Sequence, residues 1–205
     1  MTNYCSMTGK PIHGPSDAIW EDGEWVSWEW INGQLYEQEL EGQYPKADLE
    51  VAKVFEDLVD VAIEYKHITG RYLSIFGELG ELFAEITFGI QRHKPGTPGS
   101  DGRIGNDWVE VKTITPEKKN ENVFVKRAGN FNKLVVVKIS EDFEFEARML
   151  DRSEMAKGKG KLAKISWSSM KPLKSDSRGS KGSGSKGSEL FDPQQNLAKH
   201  LQGFI

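Results

Sequence analysis

The chain has 205 residues, 37% of them hydrophobic, a formal net charge of −4 and one cysteine, Cys5. That length suits one domain with appendages. No internal disulfide can form, and no apolar run approaches the roughly 20 residues that span a bilayer. The opening MTNYCSMTGKP lacks the charged and apolar regions of a secretory leader, so a soluble protein of the reducing cytoplasm is expected.

The charge is unevenly spread. Residues 1–62 carry 3 Lys/Arg against 13 Asp/Glu, whereas residues 152–186 carry 10 against 2. An acidic front and a basic rear do not form one uniform surface, and the rear suits a phosphate backbone as well as it suits a solvated, lysine-rich segment.

In chain order, residues 1–44 read as an acidic, Trp-rich β-meander. AIW, EWVSWEWI and QLYEQEL are separated by Asp22-Gly23 and Asn32-Gly33, both strong hairpin signals. On such a ribbon Trp28 and Trp30 share one face and Trp25 the other. The acidic surroundings favour packing or a protein partner over DNA. Cys5 and His13 resemble half of a metal knuckle, but a second cysteine is missing.

A helix is expected over 46–68, with Val51, Val54, Phe55, Leu58, Val61, Ala62 and Tyr65 at helical spacing, Pro45 before it and Gly70 after it. A second is expected over 71–89. Its Glu78, Glu81 and Glu85 form one acidic stripe, and Gly77, Gly80 and Ala84 form a stripe of small residues. Each glycine inside a helix costs about 1 kcal/mol relative to alanine, which a close approach by another backbone would justify.

Strands follow at 100–104, 107–114, 123–127, 133–139 and 143–150. Val135, Val136 and Val137 suggest a strand buried on both faces. Asp151 or Ser153 can cap a short helix near 154–158, and 161–170 reads as a last strand. The main domain thus covers 45–170. Residues 171–188 read as a Gly/Ser/Lys linker and 189–205 as a C-terminal helical peptide, either a docking motif or a helix folding back on its own domain.

The most informative stretch is GSDGRIGNDWVEVKT, residues 99–113. Asp101 precedes a Gly-rich turn. Glu110 and Lys112, two residues apart on a strand, share one face, while Val109 and Val111 point to the other. Two acids and a lysine converging at a strand edge suit a hard divalent cation and a phosphate. Taken alone, Glu110 and Lys112 would be read as an exposed ion pair. A glutamate-bearing helix before them and a buried strand after them favour the chemical reading. No GxxxxGK[ST] loop is present, so no ATP-driven motor is expected.

This order of elements resembles the PD-(D/E)xK nuclease superfamily over roughly residues 70–150. Asp101 matches the first acidic position and Glu110-Val111-Lys112 the (D/E)xK element. GELGELFA resembles the preceding helix, where Glu81 fits the supporting glutamate, with Glu78 the close alternative. Ser100 stands where many members have proline.

The resemblance implies a restriction-endonuclease-like fold, a mixed β-sheet core flanked by helices, and a Mg2+-dependent endonuclease acting on DNA, with Mn2+ able to substitute. Exonuclease and RNA-directed activities belong to the same superfamily. Asp101, Glu110 and Glu81 would bind the metal, and Lys112 would assist the water and the transition state. Arg92, Lys94, Lys118, Lys119, Lys126 and Arg127 are candidate contacts to the DNA backbone. Double-strand cutting would favour a homodimer. A protein partner would be met through the Trp-rich front or the C-terminal peptide. The alternative is a non-cleaving nucleic-acid-binding or assembly module on the same fold.

Overall fold

The computed structural model describes residues 2–97 and 99–172. The linker from residue 173 onward and the terminal peptide lie outside the described residues. The chain divides into two compact units, Met1–Pro45 and Lys46–Ile205.

In the first unit, β1 (Asn3–Tyr4) pairs antiparallel with β2 (Pro11–Ile12), and β3 (Ala18–Glu21) with β4 (Glu24–Ser27) across Asp22-Gly23. Cys5, Ile12 and Ala18 form its small core, with Trp25 packed against them. The expected meander ends there. Residues Trp28–Gln43 form a helix, α1, so WEWI and QLYEQEL are not strands. Ser27 is the reason: extended at the N-cap, its hydroxyl accepts the Trp30 N–H at 3.3 Å. The Leu/Glu/Gln-rich stretch that follows then propagates the helix. Asn32-Gly33 signals a turn only between strands, and Gly33 meets no atom that would penalise a helix. Trp28 and Trp30 therefore share no ribbon face; two positions apart on a helix they point nearly opposite ways.

The second unit is mixed α/β. Helix α2 (Leu49–Thr69) starts at Asp48, whose carboxylate accepts the Glu50 N–H, and ends at Gly70 with φ +67°. Helix α3 (Phe76–Phe88) ends at Gly89 with φ +71°. Such left-handed positions favour glycine. Helix α3 is shorter than the periodicity predicts. Tyr72 lies before it, packing its ring on Phe76 and Phe143.

A five-stranded sheet follows, built from β5 (Gln91–Arg92), β6 (Gly102–Ile104), β7 (Asp107–Ile114), β9 (Lys133–Ile139) and β10 (Phe145–Asp151), in the order β10-β9-β7-β6-β5. Strands β7 and β9 run parallel and the other pairs antiparallel. Between β7 and β9 the chain makes β8 (Asn122–Lys126), which pairs with β11 (Leu162–Ser166) in a separate two-stranded sheet. The short helix expected near 154–158 is a single 3-10 turn at Arg152–Glu154, capped by Asp151. The last predicted strand stops at Ser166 and gives way to another such turn, Trp167–Ser169.

Strand β9 is the centre of the core, with Leu134, Val135, Val136 and Val137 each at most 1% exposed. Leu134 and Val136 pack with Val123, Val125, Ala163, Ile165 and Trp167 from the β8–β11 layer. Alternation turns Val135 and Val137 to the other face, where α3 covers β7 and β9 and α2 packs on α3. Phe55, Phe83 and Phe145 meet there with ring centroids 5.1 to 5.8 Å apart.

Candidate active site

The site begins with a strand that runs out. Gly102 of β6 pairs with Val109 of β7, and β6 begins there. Beyond Val109, no strand pairs with that edge of β7 among the described residues. Asp101 takes over the missing pairing. Its N–H donates to Val109 O at 2.9 Å, its carbonyl accepts the His93 N–H at 2.9 Å, and its Oδ2 accepts the Val111 N–H at 2.7 Å. Extending the register by one residue sets Asp101 opposite Glu110. The Gly102 backbone has no room for a side chain: a Cβ there would lie 2.6 Å from Ile90 Cγ2 and 2.7 Å from Gln91 O.

Val109 and Val111 are buried on the α3 side, so Glu110 and Lys112 emerge on the opposite face. Lys112 Nζ rests 2.6 Å from Glu110 Oε1 and donates to Val111 O at 2.9 Å. The two side chains are 34% and 20% exposed, enough to reach an incoming ligand yet far from freely solvated.

Glu81 is brought in by α3, which seats itself through Gly80. A Cβ on Gly80 would fall 2.0 Å from Thr113 Oγ1, whereas one on Gly77 would meet nothing within 4 Å. The close approach is at Gly80 and not at Gly77, and it is made by the Thr113 side chain, not by the other backbone that was expected. Burial raises the Glu81 carboxyl above the ordinary range. Asp101 and then Glu78 raise it further, against the opposing pull of Arg92 and Lys112. Glu81 therefore lies within electrostatic reach of both Asp101 and Lys112.

A raised carboxyl means that the fold favours the protonated form. Stability linked to Glu81 is greatest below the ordinary carboxylate range and falls as pH rises through the raised value. In the absence of divalent cations, Glu81→Gln should match wild type most closely near about pH 4 and gain on it toward about pH 7. Thermal melts across that range check this; a difference that stays constant with pH contradicts it.

The acidic stripe has a partner that the sequence did not reveal. Arg92 NH1 lies 2.5 Å from Glu78 Oε1 and 4.0 Å from Glu81 Oε2, and Arg92 Nε lies 2.6 Å from Glu85 Oε2. Arg92, expected as a phosphate contact, is thus engaged by all three glutamates. Lys94 is exposed nearby. Lys118 is bonded to Asn122 O and Lys119 is exposed, both beyond the C-terminal end of β7. Lys126 ends β8 and Arg127 follows it, the latter lining a cleft with Asn132 beside the start of β9. The six basic candidates do not gather on one surface.

Two further residues have positioning roles: His93, which the sequence offered as a phosphate contact, and Asn132, which carries no sequence signal. His93 sets Nδ1 3.1 Å from Ser100 O and its ring edge-on to Trp108, centroids 5.1 Å apart. Asn132 grips Trp108 twice: its Oδ1 accepts the Trp108 N–H at 2.9 Å and its own N–H donates to Trp108 O at 2.8 Å. Cys5 is a core residue, its thiol held down to about 6 by hydrogen bonding from Ser27 and then Thr8.

The donor chemistry is that of a hard cation's ligands: Asp101 and Glu110 supply carboxylates from opposite register positions, and Asp101 repels the charge of Glu81. Among the described residues no three His, Cys, Asp or Glu side chains stand close enough together to hold a metal ion. No described helix is long and apolar enough to cross a membrane. No protein-family model matches this chain, and no curated protein matches it significantly.

Proposed function

We propose that the second unit is a metal-dependent deoxyribonuclease with a restriction-endonuclease-like core, hydrolysing phosphodiester bonds to 5′-phosphate and 3′-hydroxyl ends. The observation that carries this reading is Asp101 locked across from the Glu110–Lys112 pair where the β6 ladder stops, within charge range of Glu81. Asp101 and Glu110 would hold Mg2+ or Mn2+ with Glu81 in support. The cation would supply Lewis acidity toward the phosphate and a water nucleophile.

The residues themselves divide the remaining work. Two backbone bonds fix the Asp101 main chain and the Val111 N–H fixes its carboxylate, so little reorganisation is needed. Lys112 now offsets Glu110; turned toward a phosphate, its ammonium would stabilise charge developing on the phosphoryl oxygens or help deprotonate the water. Lys94 and the basic residues of β8 would follow the backbone.

The test is cleavage of plasmid and oligonucleotide DNA in Mg2+ or Mn2+, comparing wild type with Lys112→Ala and Asp101→Ala. Loss in both variants is expected. Equal residual cleavage by all three proteins removes the catalytic assignment. A second reading, a nucleic-acid-binding or assembly module that does not cut, draws on the same contacts, because the Glu110–Lys112 pair and the Asp101–Val111 bond are also structural. Salt-sensitive binding without cleavage of any DNA or RNA selects it.

A further inference from the structure

A cleft of about 570 Å3 lies beside the start of β9, lined by Arg127, Asn132, Asp151, Arg152 and Lys157 among others. Its charge is not balanced from within. Asp151 is matched by Lys133, whose Nζ lies 2.7 Å from Asp151 Oδ1 and 3.5 Å from Asp107 Oδ2. Among the described residues neither Arg127, Arg152 nor Lys157 is ion-paired.

Arg152 is oriented by carbonyls instead. It donates to Gly129 O, to Phe131 O at 3.1 Å and to Arg127 O at 2.5 Å, which fixes the guanidinium without cancelling its charge. Arg127 donates NH1 to Ala156 O at 2.6 Å, while its Nε is buried and has no hydrogen-bond partner among the described residues. Two arginines held in place by carbonyls, with their charge uncancelled, and a lysine at an open cleft make a preorganised anion site.

We propose that this cleft binds a phosphate group. The inference deepens the nucleic-acid reading and rests on it only for the source of the phosphate. Asn132 links the cleft to β7: it grips Trp108, two residues before Glu110 and roughly 7 Å away at the strand rise of about 3.3 Å per residue. A phosphate held there would set a nucleic-acid strand at a fixed offset from the candidate catalytic carboxylates.

The experiment is a binding measurement on the full chain without divalent cation, so turnover does not enter. Inorganic phosphate is titrated at constant ionic strength and followed by backbone amide shifts, then fluorescent duplexes with and without a 5′-phosphate are compared by anisotropy. Saturable phosphate binding with shifts at Arg127, Arg152 and Lys157 is expected. The exposed Lys157→Glu and the conservative Arg127→Gln should each weaken it about tenfold, as loss of a charge-assisted contact does.

Preference for the 5′-phosphorylated duplex identifies a terminal phosphate as the source, and equal binding of both duplexes, weakened by the same variants, a backbone phosphodiester. Phosphate binding without duplex binding identifies a small phosphorylated ligand and removes only the nucleic-acid source. No saturable phosphate binding, or binding that both folded variants retain in full, overturns the proposal. A cleavage-negative protein that still binds phosphate here would discard the nuclease and leave the cleft assigned.

Discussion

Asp101→Asn should lower cleavage about a hundredfold or more while leaving the fold close to wild-type stability. Asparagine keeps a carbonyl oxygen for the Val111 N–H, which Asp101 Oδ2 accepts at 2.7 Å, but it removes the charge a cation would need. Asp101→Ala removes both. Its additional cost is an amide left without a partner in a half-buried edge, about 1–3 kcal/mol. Urea unfolding and single-turnover cleavage on the three proteins separate the two roles. If the asparagine variant cleaves at the wild-type rate, the Asp101 charge has no part in catalysis and its hydrogen bond is its only task.

The second large effect is expected at Gly80, outside the reacting groups. Gly80→Ala forces a methyl to within 2.0 Å of Thr113 Oγ1 and 3.1 Å of Thr113 Cβ and Cγ2. Rotation about the Cα–Cβ bond moves the hydroxyl and methyl together but leaves the tight contact to Thr113 Cβ, so α3 must shift from β7. Overpacking of this kind costs about 1–3 kcal/mol, and here it also displaces Glu81, the next residue. Stability and any cleavage should fall together. Thr113→Ala in the Gly80→Ala background should recover much of the stability, a positive coupling that a double-mutant cycle measures. Gly77→Ala is the control: with open space at its Cβ it should be neutral or stabilising by about 0.4–1 kcal/mol. Equal stabilisation at both glycines would mean that helix propensity, not contact with Thr113, sets the effect.

Local signals carried the second unit well. Helices α2 and α3 were legible because of their apolar periodicity, which for α2 agreed with Pro45 before it and Gly70 after it; the left-handed stop at Gly89 was not read from the sequence. The valine run identified β9 because burial on both faces leaves little room for polar residues. The same reasoning failed at α1, where Asn32-Gly33 outweighed the cap at Ser27; a dipeptide preference is weaker than a helix already begun by a side-chain bond.

The candidate site was legible as a set of residue types but not as a set of contacts. Arg92 meets Glu78 and Glu85 because the chain after α3 doubles back into β5, a non-local event that helical spacing cannot encode. Asn132 is likewise ordinary in sequence and acquires its task from the parallel pairing of β9 with β7. Asp101 could be picked out as an acid near a strand, but its substitution for an absent strand follows from where β6 begins.

The path from β7 to β9 sets an order of assembly. The crossing chain contains β8, and β8 finds its pairing partner only in β11, about forty residues later. During synthesis the five-stranded sheet can form once β10 is complete, yet Leu134 and Val136 then still lack Ala163, Ile165 and Trp167 as cover. A chain cut after Asp151 should therefore collect in aggregates, whereas one cut after Pro172 keeps the covering layer and should remain in solution. Comparing the soluble fractions of the two truncations would show whether the last strand is a lid on the core that the earlier strands require before they can be handled as a protein.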